Sequence, residues 1–93
     1  MGSNFKFNDV LASIGLGQLE RGPAKVAHVT KIYETYKAAV DELDFVDIVP
    51  VKVGQGETPL WTEVVCADRT VRTHLMEFLA ERRIDTRQFL PDL

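Results

Sequence analysis

Residues able to do chemistry are few in this 93-residue chain, and they are scattered. Cys66 is the single thiol, and His28 and His74 have no partner at metal-ligand or triad spacing. Ser13 has no nearby base in sequence. The amines Lys25, Lys31, Lys37 and Lys52 fall where a helix or strand would present them to water. Gly54-Gln55-Gly56 has the glycine spacing of a phosphate-cradling loop, but no G-K-[ST] follows and no helix opens, so a plain turn is expected. Cys66 alternates with Val64 and Thr62 along a β-prone stretch and reads as a small buried hydrophobe. Trp61, Tyr33 and Tyr36 read as core side chains. Residue types and spacing alone yield no catalytic constellation.

The elements that carry these residues are clearer. Asn8 is a good N-cap, since its side-chain oxygen can take a free N–H of the first turn, and Asp9 suits the positive end of the helix dipole. From there to Arg21, Val10, Leu11, Ala12, Ile14, Leu16 and Leu19 spread over most of the helix circumference. A helix apolar nearly all round is normally covered on several sides. Gly15 and Gly17, each costing roughly 1 kcal/mol against alanine in a helix, suggest close packing.

Gly22-Pro23 reads as a stop and a restart, with glycine in the left-handed conformation past one helix and proline opening the next. From Ala24 to Leu43, Val26, Val29, Ile32, Tyr33, Tyr36, Val40 and Leu43 recur at steps of three and four, the stripe of a long amphipathic helix. Phe45–Val53 and Leu60–Ala67 read as an antiparallel hairpin, with Pro50 marking an edge or bulge. Asp68 caps a third helix whose inner stripe is Val71, Leu75, Phe78 and Leu79, with Met76 as an optional further member. Thr86–Leu90 reads as a third strand. The expected fold is therefore α+β, in the order ααββαβ, a two-layer sandwich with a three-stranded antiparallel sheet and helices on one face. A ferredoxin-like half-module is the alternative architecture. The expected core is Val29, Ile32, Tyr36, Val40, Trp61, Val64, Leu75, Phe78 and Leu79.

Two segments also carry a resemblance. N-F-K-F-N-D-V-L-A-S-I-G-L-G-Q-L-E, from Asn4, is similar to the N-(F/Y)-(R/K)-(M/F)-(T/N)-(D/E)-(I/L)-x-A-(A/S)-(I/L)-G-L-x-Q-L-E segment of the DegT/DnrJ/EryC1/StrS aminotransferases. The run from Trp61 through Asp68-Arg69 to Ile84-Asp85-Thr86-Arg87 and Leu90-Pro91 resembles their closing segment, with Arg83 where that family has glycine. The resemblance implies the small domain of an aspartate-aminotransferase-like fold, as a fragment of a pyridoxal-phosphate enzyme that aminates nucleotide-linked keto sugars. The family's Schiff-base lysine precedes the segment resembled here, so no catalytic residue is assigned and the chain is expected to hold no cofactor and be inactive alone. The resemblance further implies that Asn4 and Lys6 lie near the cofactor phosphate in a complete enzyme, and that Arg87 faces a substrate carboxylate or the large domain. Read without the family, Asn4 orders the turn into the helix while Lys6 and Arg87 are surface residues. Met1-Gly2-Ser3 reads either as residues added for expression or, through Gly2, as part of the family pattern.

Composition sets the remaining bounds. With 45% hydrophobic and 27% charged residues the chain suits one domain, residues 1–93, that is soluble and too small for two cores. A net charge of −3, with no run of more than two basic residues, argues against nucleic-acid and anionic-membrane partners. The single cysteine fits a reducing cytoplasm. Self-association through Val10, Leu11, Ile14 and Gly17 is expected, because the missing large domain of a parent enzyme would otherwise cover the first helix. The competing readings are a free-standing dimerisation or small-molecule-binding α+β module, and an unrelated ferredoxin-like domain.

Overall fold

Local capping chemistry begins the fold where the sequence indicates. In the computed structural model, which describes residues 6–89, Asn8 is extended and its side-chain oxygen accepts the Leu11 N–H at 2.8 Å. Helix α1 (Asp9–Glu20) follows, then one turn residue, Arg21, then helix α2 (Gly22–Val40). The expected left-handed glycine is not formed. Gly22 is the first helical residue, and the junction is held by Arg21 N–H to Gln18 carbonyl at 3.2 Å and Lys25 N–H to Arg21 carbonyl at 3.0 Å. Pro23 fits because an N–H in the first helical turn has no intrahelical acceptor.

The chain forms two compact units. The first comprises residues 1–35 and 51–61. Its centre is Tyr33, 3% exposed, whose hydroxyl accepts the Val51 N–H at 2.9 Å. The 51–61 segment is organised by a 3-10 turn at Val53–Gln55, closed by Gly56 at φ 89°. Glu57 secures it, its carboxylate accepting the Lys52 N–H at 2.8 Å. This is the plain turn expected of Gly54-Gln55-Gly56. A residue with a side chain would be strained at position 56, where φ is positive.

The second unit comprises residues 36–50 and 62–93. Strands β1 (Val46–Ile48) and β2 (Val64–Cys66) pair antiparallel, Val46 opposite Cys66 and Ile48 opposite Val64. Bonds from Val49 N–H to Glu63 carbonyl and from Ala67 N–H to Phe45 carbonyl extend the ladder one residue at each end. Val46 and Ile48 are buried with Val40, while Asp47 between them points to water. Helix α3 (Arg69–Glu81) packs against β2. Asp68 caps it, its carboxylate accepting the Val71 N–H at 2.8 Å.

The architecture is α+β, with three helices and a two-stranded antiparallel sheet among the described residues. The expected third strand is absent from its described part: residues 86–89 form no ladder, and Leu90 lies outside the described residues. The order αα, hairpin, α is found and the final β is not. The expected core also needs correction. Val40 is buried, and Val29, Leu75 and Leu79 are half-buried, but Ile32, Tyr36, Val64, Trp61 and Phe78 are exposed. Tyr33, not Tyr36, is the aromatic that α2 turns inward. Trp61 is 76% exposed in the connection between the 3-10 turn and β2. Cys66 is half-buried rather than buried.

Candidate functional site

The sequence-predicted site residues flank the helices. Asn4 lies outside the described residues. Lys6 is exposed two residues before the Asn8 cap, in the first unit. Arg87 is exposed beyond α3, in the second unit.

The end of α3 explains the segment around Arg87. Arg83 has φ 62°, a left-handed backbone that an L side chain adopts at a cost of about 1–2 kcal/mol. Its N–H donates to the Ala80 carbonyl at 2.9 Å, and the Ile84 N–H reaches the Leu79 carbonyl at 2.9 Å. Those two bonds make a Schellman motif, whose left-handed position favours glycine. Arginine stands at the position where the resemblance calls for glycine, and the backbone has kept the glycine conformation. Just before it, the Arg82 guanidinium lies 3.4 Å from the centroid of the Phe78 ring and donates to the Phe78 carbonyl at 2.9 Å.

An open groove runs along this helix end, lined by Met76, Glu77, Ala80, Arg83, Ile84 and Thr86. Thr86 belongs to the Thr86-Arg87 pair that carried the resemblance, but Arg87 itself does not line the groove. Sequence reading missed the groove, and the arginine in a glycine position was the signal available for it. A second open groove lies beside β2 and the start of α3, lined by Val64, Cys66, Asp68, Arg69 and Arg72.

The other candidates resolve into structural roles. Ser13 donates to the Asp9 carbonyl at 2.7 Å, so its hydroxyl serves the helix backbone. Lys25 bonds to the Gln18 side chain. Lys37 pairs with Asp41 at 2.6 Å, and Lys31 and Lys52 are exposed. Among the described residues no three His, Cys, Asp or Glu side chains are grouped to hold a metal ion. No described helix is long and apolar enough to cross a membrane.

Pyridoxal phosphate needs an enclosed lysine, an acid at its pyridine nitrogen and a phosphate cradle. All five lysines, Lys6 included, are exposed, and neither groove contains one. The described residues do not by themselves make a site for that cofactor.

Comparison with known proteins gives the context. The family model described as the DegT/DnrJ/EryC1/StrS aminotransferase family matches residues 1–93. EpsN of Bacillus subtilis (strain 168), provisionally assigned as a pyridoxal phosphate-dependent aminotransferase, is 28% identical over 88 residues. That alignment covers 94% of this chain and 22% of EpsN, so the chain spans about a fifth of this relative's length. No solved structure was found to match. With the family pattern running the length of the chain, and the glycine-type helix end preserved at Arg83, the chain belongs to the DegT/DnrJ/EryC1/StrS aminotransferase family.

Proposed function

We propose that this chain is the C-terminal part of a pyridoxal-phosphate aminotransferase that aminates nucleotide-linked keto sugars in the cytoplasm, and that it is inactive alone. The observation that carries the reading is a family match over residues 1–93 on a chain whose lysines are all exposed. A Schiff-base lysine must be held against its cofactor in an enclosed site. The lysine, the pyridine acid and most of the phosphate cradle then belong to another part of the enzyme. In that complete enzyme Asn4 and Lys6 supply an amide and an ammonium to the cofactor phosphate, a charge-assisted arrangement both groups suit. Arg87 meets a substrate carboxylate or the large domain.

Incubated with pyridoxal phosphate, the isolated chain should develop no absorbance near the visible edge and no borohydride-fixed adduct at a single lysine. A reproducible single-site adduct would overturn its inactivity. Fused behind the upstream portion of EpsN in place of the matching segment, the chain should restore cofactor binding. A chimera that folds by circular dichroism yet binds no cofactor would contradict the family role proposed here.

A further inference from the structure

The hairpin leaves one strand edge open. Strand β2 pairs with β1 in a register that sets Val46 opposite Cys66 and Ile48 opposite Val64. The Val49 N–H donates to the Glu63 carbonyl at 2.9 Å, and the Ala67 N–H to the Phe45 carbonyl at 3.0 Å. Antiparallel bonding alternates along a strand, so Glu63, Val65 and Ala67 turn their backbone groups towards β1. Val64 and Cys66 turn theirs the other way, and among the described residues no backbone bond meets them there. The open groove beside β2 follows this edge. Val64, Val65 and Cys66 border it in succession. Consecutive strand residues point to opposite faces, so only an edge presents all three. Val64 shares its face of the sheet with the buried Val46 and Ile48, yet it is 41% exposed. Strand β1 offers no such edge, because its outward-bonding residues are Val46 and Ile48, 5% and 9% exposed.

We propose that the free edge of β2 docks an extended, acidic segment of a partner protein, which joins the sheet as an added strand. The N–H and carbonyl groups of Val64 and Cys66 supply its main-chain bonds, and the side chains around the groove select its sequence. Arg69 and Arg72, at the start of α3, border the same groove. The carboxylate beside them, that of Asp68, is held by the Val71 N–H at 2.8 Å. Two guanidinium groups against one carboxylate leave the groove positive, and a guanidinium takes a carboxylate through paired N–H donors. The partner segment therefore carries Asp or Glu on the face that meets the arginines. The residues between them are apolar and lie beside Val65, 59% exposed on the other face of the sheet. This docking does not depend on the enzymatic reading above, since it uses only the hairpin and the start of α3.

Two short blocked peptides, one alternating Glu with Val and the other Lys with Val, test it in amide-resolved titrations of the whole chain. The Glu peptide should bind at least about tenfold more tightly than the Lys peptide. It should slow exchange at the Val64 and Cys66 amides while Val65 and Ala67, already bonded to β1, change little. Replacing both arginines, Arg69→Ala with Arg72→Ala, should weaken the Glu peptide at least about tenfold. Slow exchange at Val65 and Ala67 in that variant checks that the hairpin still forms. Equal affinity for the two peptides, or no binding of either, would overturn the acidic partner. A bound peptide that leaves the Val64 and Cys66 amides unchanged would overturn strand addition. Amides of Val64 and Cys66 as slow as that of Val65 in the free chain would mean an edge already filled, and the proposal would fall.

Discussion

Helices α1 and α3 are nearly equal in length and both begin with a side-chain cap, yet they stand in opposite relations to the fold. Asn8 and Asp68 make the same 2.8 Å bond to the N–H three residues on. Beyond the cap the two sequences diverge. In α3 the apolar residues keep to one side, and Val71, Leu75, Met76 and Leu79 are half-buried in the unit whose hairpin the helix packs against. In α1 they occupy most of the circumference and none is buried. A one-sided stripe is the mark of a helix whose cover lies in its own chain, whereas an all-round distribution needs cover that the chain does not provide.

The largest test of this contrast is truncation. Ile48→Ala, in the buried face of β1, should cost about 3 kcal/mol in denaturant unfolding, as for buried aliphatic residues generally. Leu19→Ala, at a side chain 75% exposed, should cost under about 0.5 kcal/mol in dilute solution. A loss above roughly 2 kcal/mol at Leu19 would mean that α1 is covered within the chain, and the contrast would fail.

Next comes the end of α3. Arg83→Gly should raise stability by about 1 kcal/mol, because glycine adopts φ 62° without the Cβ penalty. A destabilised variant would mean that the arginine side chain contributes more than its backbone strain costs. The two caps should give similar, smaller effects in helix content. Asp68→Ala should cost about 1 kcal/mol of global stability. Asn8→Ala should fray α1 with little global loss, since α1 is not packed into a core. Lys37→Ala, breaking an exposed i,i+4 pair with Asp41, should change stability by only about 0.3–0.5 kcal/mol.

What the sequence revealed divides along the same physical line. The two N-caps and the turn at Gly54-Gln55-Gly56 depend on residues within a few positions of one another, and they were legible; the junction at Gly22, expected in the left-handed conformation, was not. Contacts set from a distance were not. On α2, Tyr33 and Tyr36 belong to the same periodic stripe, and only the hydroxyl bond to Val51, eighteen residues on, selects Tyr33. The third strand failed for a related reason: β-branched or aromatic composition makes a strand possible, but a ladder partner decides it. Trp61 and Phe78 look like core residues by type, and both are exposed. Phe78 instead forms a platform for Arg82, so Phe78→Ala should cost well below the 3–5 kcal/mol of a buried aromatic. A candidate site at Asn4, Lys6 and Arg87 was suggested only by the resemblance, because residue types and spacing alone give no constellation that local geometry could place.

Segment-resolved hydrogen exchange in dilute solution tests the central claim most directly, that the hairpin unit is covered by its own chain while α1 is not. At about 1 μM, the amides that bond β1 to β2 should exchange much more slowly than those of α1. Protection of α1 equal to that of the hairpin at that concentration would contradict the account.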